Sequence, residues 1–298
     1  MVNPPRFPMR GRLPLAEMLL LAIIAAPAGG QQRAVERRSF SDGQGKLMAF
    51  YSASLTFTPV DAPRERRRGA LGVGLELGYV PRLDAEQRRV GDKPESTNLA
   101  PVFPRPRVSY ALTDRLAIEG SWIPPIEFFD VKANIASLAI TWTAPLRGAI
   151  RLEPRLAGMI GSVEGAITCF EDMATRSLDL AVYYGLICFG RESRDDFQPR
   201  HLLLELMAGW ERPASRVVPY AGLGARGDWT RFDIGVVRGD GSLDPDQPIL
   251  ELRAVRPYGV IGATYRAAPR ARATAELLYA PGSVVTARVM GSIDAFIR

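Results

Sequence analysis

Few residues in this chain have the type and spacing that chemistry requires. His201 is the only histidine in 298 residues. Ser193, Asp195 and Asp196 precede it closely. A serine, a histidine and a carboxylate can serve as nucleophile, base and orienting group when they lie within hydrogen-bond reach. Proximity within one loop does not build that geometry, and a lone histidine opening a strand reads as polar surface, so no catalytic residue is assigned. Asp240-Gly-Ser-Leu-Asp-Pro-Asp246, with Asp233 nearby, gathers carboxylates that suit calcium. The alternating ligands and closing glutamate of the calcium loop are missing, so a solvated turn is expected, with no metal and no cofactor. Cys169 and Cys188 are the only cysteines. A zinc site needs more ligands than these and one histidine supply, whereas two thiols in an oxidising compartment normally pair.

The densest chemistry is a set of alternating charges: Arg105, Arg107, Glu119, Arg151, Glu153, Arg155, Glu205, Arg226, Arg256, Glu276 and Arg288. Each sits between apolar or small neighbours, so one face of an extended chain carries the charges and the other carries the grease. Leu71-Gly-Val-Gly-Leu-Glu-Leu-Gly-Tyr79 shows the alternation most strictly. An arginine-rich polar face could attract anions, or the opposite charges could pair across strands and fill the interior. Arg151-Leu-Glu-Pro-Arg155 alternates in sign along one strand, so pairing is the expected outcome, with Glu153 neutralising Arg151 and Arg155.

Alternation and turn residues together predict strands near 47–58, 70–80, 102–112, 115–123, 132–143, 149–163, 200–210, 216–232, 252–266, 272–280 and 284–297. Short connections such as Thr113-Asp114 tend to alternate with long polar ones near 81–101, 164–199 and 233–251. Hydrophobicity alone sends Tyr79, Trp122, Trp229 and Tyr279 outward at the long-loop ends, and Tyr110, Trp142, Trp210 and Tyr265 outward at the short-turn ends. Aromatic rings near strand ends suit a membrane interface. Before these strands, Arg6, Arg10 and Arg12, the apolar run Met18–Ala26 and the small residues Ala26-Pro27-Ala28 read as a secretory signal peptide spanning residues 1–28, too short for a membrane span. A net charge of +6 without a dense basic run argues against a nucleic-acid partner. The densest cluster, Arg64-Glu-Arg-Arg-Arg68, is expected to form a solvated turn.

With these features residues 29–298 resemble a bacterial outer-membrane β-barrel as a class. The resemblance implies an all-β, antiparallel up-and-down barrel with short periplasmic turns and long extracellular loops. Twelve strands are expected if Ala34–Phe40 forms an upward strand before 47–58, and ten if that N-terminal pair is irregular. It also implies outer-membrane lipid and the barrel-assembly machinery as partners. Many such barrels end in an aromatic residue that this machinery reads; here Phe296 stands two residues short of the end. The expected role is non-enzymatic: envelope structure or narrow, porin-like solute passage, with the Cys169–Cys188 bond pinning an extracellular loop. A surface-binding barrel is the alternative. A lipid-modifying rim enzyme using His201 ranks below it.

Overall fold

The computed structural model describes residues 33–83, 87, 101–128, 130–146, 148–170, 188, 191–212 and 214–296. The proposed signal segment, 1–28, lies outside them, as do most of the connections 84–100 and 171–187. The chain begins with a short strand β1 (Val35–Arg38) and a helix α1 (Gly43–Ser54), then runs extended to β2 (Ala70–Tyr79). There follow β3 (Val102–Ala111), β4 (Leu116–Ile123), β5 (Glu127–Phe128), β6 (Val131–Trp142), β7 (Ala144–Pro145), β8 (Ile150–Gly165), β9 (Asp195–Gln198), β10 (Arg200–Trp210), β11 (Val217–Asp233), β12 (Ile249–Arg266), β13 (Ala271–Ala280) and β14 (Val284–Phe296).

Ten of these strands form a closed antiparallel barrel. β2, β3, β4, β6, β8, β10, β11, β12, β13 and β14 pair in sequence, and β14 returns to β2 from Phe296↔Ala70 to Arg288↔Gly78. Closure leaves no sheet edge along the barrel wall, which a bilayer requires because it offers no water to unpaired backbone groups. Ten is the smaller of the two counts the sequence allows. β5, β7 and β9 only extend the rims, β9 bridging β8 and β11 beyond the start of β10.

The pleat sorts the side chains as the alternation requires. Leu223 and Val255 stand outside at 75% and 79% exposure, while Arg105 and Glu76 lie inside at 0%. Tyr79, Trp122, Trp229, Tyr279, Tyr110, Trp142, Trp210 and Tyr265 all face outward. A greasy exterior over a charged interior is the inverse of a soluble barrel, and it marks a transmembrane one.

The N-terminal expectations change. Residues 47–58 do not form a strand: Gly43–Ser54 is helical and enters the lumen. Asp42 caps it, its Oδ1 accepting the Gly45 amide at 2.6 Å. Residues 47–51 are apolar without a break, so periodicity separates helix from strand poorly there. Inside the barrel the helix meets protein on several sides, burying Met48, Ala49, Phe50, Ser52, Ala53 and Ser54, and it needs no single apolar stripe. Ala34–Phe40 is likewise no upward barrel strand. Only Val35–Arg38 is extended, and it lies parallel to β12, Val35↔Ile249 through Arg38↔Leu252.

Exposure to lipid should set the cost of charge. Leu204→Arg, mid-strand and outward on β10, should lose about 2–4 kcal/mol, whereas Val217→Arg, outward at the short-turn end of β11, should lose about 0–1 kcal/mol. Urea unfolding in lipid vesicles checks this. Equal losses would argue against a bilayer around this wall. Met207, on the inward face of the same strand, is fully buried in the cluster that includes Phe57 and Tyr220, so arginine there overpacks the interior.

Candidate functional site

Charged side chains from most of the wall converge in the lumen, and residues from the chain's own N-terminal part occupy it. Beyond α1 the segment from Leu55 to Arg68 has no regular secondary structure and no sheet partner, so its carbonyls need donors. The wall arginines supply them. Arg105 donates to the carbonyls of Leu55 at 2.7 Å and Thr56 at 3.3 Å. Arg155 donates to Phe57 O at 2.7 Å, and Arg107 to Thr58 O and Pro59 O at 2.8 and 3.2 Å. Arg288 reaches Ser54 O at 3.2 Å and the Thr58 hydroxyl at 2.5 Å, and Arg226 the Thr56 hydroxyl at 2.7 Å. Phe57, wholly buried, has the guanidiniums of Arg105, Arg107 and Arg155 at 5.6, 4.4 and 4.7 Å from its ring centre, a cation–π arrangement in a site without bulk water. Val60 holds φ at 46° just below, a backbone state a β-branched residue keeps only when its surroundings enforce it.

Carboxylates neutralise the same arginines. Glu76 pairs with Arg107 and lies 3.7 and 3.8 Å from Arg105 and Arg288. Glu119 takes Arg107 at 2.7 Å and Arg155 at 3.6 Å, and Glu205 takes Arg155. Glu276 accepts from the Thr58 hydroxyl and from Tyr220 Oη at 2.9 Å. Arg256 sits apart, donating to Ser283 Oγ at 2.7 Å and Pro281 O. Arg151 points to Glu211 at 4.0 Å. Glu153 is therefore not balanced by its strand neighbours as the sequence suggests. It accepts from Thr143 Oγ1 at 2.7 Å and faces Arg66 at 3.5 Å.

Arg66 belongs to the cluster read as a solvated turn; Glu65, Arg67 and Arg68 are exposed as expected, but Arg64 and Arg66 turn inward. Arg64 bonds both oxygens of Asp294 at 3.0 and 3.1 Å and lies 3.3 Å from Asp61. Arg272 joins the same two acids, at 3.4 Å from Asp61 and 2.5 Å from Asp294. Arg64 and Arg66 are the lower anchor of the thread. Sequence reasoning missed this group, and Glu76 and Phe57 with it. Glu76 was visible as the inward acid of the most regular strand; nothing local marks Phe57, Asp61 or Arg64.

Above the charged layer the lumen turns apolar on the side of β2, β3, β4, β6 and β8. Tyr51 and Leu55 of the thread face Val80, Phe103, Ile135 and Val163 of the wall across a cavity of about 90 Å³. Tyr51 also packs edge-on against Phe197 of β9. This chamber lies at the long-loop ends of β2, β3, β4, β6 and β8.

The other candidates take structural places. His201 points into the barrel, buried, with Nε2 3.4 Å from Asp228 Oδ1 on β11. Ser193 donates to Asp195 Oδ2 at 2.7 Å and accepts the Cys169 amide at 2.9 Å. Asp195 also accepts the amides of Ile167 and Gly235 at 2.9 and 2.7 Å, knitting the long connections together. Cys169 and Cys188 are disulfide-bonded and buried against Val236. Asp244 is held by Arg238 at 2.6 Å and Gln247 at 2.9 Å, and Asp240 accepts from Ser242 at 2.7 Å, so local donors satisfy these acids.

No family model matches the chain, and no curated protein matches it. Among solved structures it is similar to the outer-membrane protease OmpT of Escherichia coli, at 11% identity and a TM-score of 0.35, over 83% of this chain and 100% of that one. It is similar to Ail of Yersinia pestis at 10% identity and 0.30, over 76% and 99%. The N-terminal barrel domain of Pseudomonas aeruginosa OprF gives 8% and 0.28, over 77% and 100%. All three are bacterial outer-membrane β-barrels.

Arg107 touches the thread twice and two acids besides. Arg107→Ala should cost about 3–5 kcal/mol, the usual loss when one partner of a buried ion pair is removed. Arg151→Ala, at the rim, should cost under about 1 kcal/mol. Thermal unfolding of the purified proteins in detergent compares them. The disulfide should act locally instead. Cys169→Ala should raise proteolysis between residues 170 and 187 while heat-modifiable mobility of the barrel on gels is unchanged, because the ladder fixes the flanking strands independently.

Proposed function

We propose that this chain is an outer-membrane barrel of non-enzymatic role, sealed by its own N-terminal segment and contributing to envelope structure instead of free diffusion. The observation that carries the proposal is the occupied lumen. Residues 43–66 run along the barrel interior, and Arg105, Arg107, Arg155 and Arg288 grip their backbone. Charges of the kind that draw anions through an open pore are engaged here by carbonyls and carboxylates. Outer-membrane lipid would be the surroundings, and the barrel-assembly machinery the route of insertion. The signal segment at 1–28 would take the chain across the inner membrane.

A second reading, narrow passage for small apolar or amphipathic molecules, is favoured by the apolar chamber below the long loops. It has room for a few methylene groups, and α1 forms one of its sides.

Planar-bilayer recording separates these readings. The wild-type protein should show no single-channel steps. Loosening the grip with Arg107→Ala combined with Arg155→Ala should produce brief openings if the thread is what blocks the lumen. Steady wild-type conductance would defeat the sealed-barrel proposal. Uptake of an apolar solute by wild-type vesicles, abolished by Ile135→Trp, would establish the second reading in its place.

A further inference from the structure

The path of the thread fixes where the N-terminus emerges. At its upper end Arg33 donates to Gln247 O at 2.9 Å and Pro248 O at 3.3 Å, and Ala34 O accepts the Ile249 amide at 2.8 Å. β1 then lies along the first residues of β12, beside the long connection 233–249. Phe40 stacks under Arg256, whose other partners, Pro281 and Ser283, form the connection at that same end. At its lower end the Arg66 amide bonds Asp114 O at 3.1 Å, the Arg68 amide bonds Asp114 Oδ1 at 2.8 Å, and the Gly69 amide bonds Ala111 O at 2.9 Å. Asp114 lies in the short turn between β3 and β4. Gly69, at φ 77°, then turns the chain up into β2.

The lengths agree with a full crossing. A helix of twelve residues rises about 18 Å, and the fourteen residues Leu55–Arg68 can span at most about 50 Å, against a hydrocarbon core of about 30 Å. One lumen pass added to ten barrel strands makes an odd number of crossings. β14 ends at Phe296 beside Ala70, at the short-turn end. The two ends of the described chain therefore lie at opposite mouths, whereas an even-stranded barrel alone would place them at one.

We propose that the barrel presents the start of its described chain at the outer face: the chain threads its own lumen and delivers Arg33 to about Ser41 to the cell surface. This rests on the outer-membrane reading above, with long loops outward. The wall and its arginines then act as a clamp that holds a surface-displayed terminus, and the sealed lumen is the consequence of display.

Among the described residues no cysteine is free, so single introduced cysteines report topology cleanly. Ala34 and Ala214 are exposed, and Gly239 faces open space. Ala34→Cys, Gly239→Cys in a long connection and Ala214→Cys in a short turn are each treated with a membrane-impermeant polymer maleimide, on intact and on permeabilised cells. Ala34→Cys and Gly239→Cys should show the gel shift on intact cells, and Ala214→Cys only after permeabilisation. Labelling of Gly239→Cys with protection of Ala34→Cys on intact cells would overturn the display proposal and leave the membrane orientation standing. Labelling of Ala214→Cys alone would overturn both, because the long loops would then face inward.

Discussion

The structure depends on one constraint: an extended strap without a strand partner lies inside a barrel, and its backbone carbonyls must be satisfied there. An unpaired buried carbonyl costs on the order of 1–3 kcal/mol, and the strap presents several in succession. Arginine suits the task because its planar fork carries several donors on a long stem. Arg105, Arg107 and Arg155 each reach the strap from the wall while the same guanidiniums lie beside Glu76, Glu119 or Glu205. Removing the strap would leave a lumen of arginines and acids around empty space. Removing the arginines would leave a strap of bare carbonyls. Each half of the interior makes the other tenable.

This mutual dependence explains the vertical layering. In the lower lumen the thread is extended, its backbone is polar to its neighbours, and the wall answers with charge. In the upper lumen the thread is helical and satisfies its own backbone, so the wall on the β2–β8 side can be apolar. Phe103, Ile135 and Val163 line that level, with Phe103 one inward position along β3 from Arg105. Ser52 and Thr230, hydrogen-bonded at 2.8 Å, are a polar contact within this upper region. The inward face of a membrane barrel is thus polar or apolar according to what occupies it.

The display topology follows from the same arrangement. A plug that entered and left by one mouth would need a hairpin, and two antiparallel passes would satisfy much of their own backbone. A single pass cannot, so it recruits the wall, and it separates the termini. The disulfide, Asp195 and β9 gather the long connections near the mouth from which β1 emerges.

What the sequence determined by itself was the wall. Period-two alternation is a local property of each strand, so the outward leucines and tryptophans and the inward Arg105, Arg107, Glu205 and Arg288 could be assigned without knowing any partner. The closed antiparallel barrel follows from that pattern together with the alternation of turns. The contents of the lumen were decided only by the tertiary structure. Residues 47–51 are apolar throughout, and an environment that buries several sides of a segment removes the one-sided pattern by which a helix is recognised. Glu153 illustrates the second limit. Its neighbours Arg151 and Arg155 were the nearest charges in sequence, yet Arg155 turns to Glu205 directly across the ladder, and Glu153 is met by Arg66 from the thread. Charge partners are chosen by distance in space, and a segment that crosses the lumen brings near what no spacing along the chain could show.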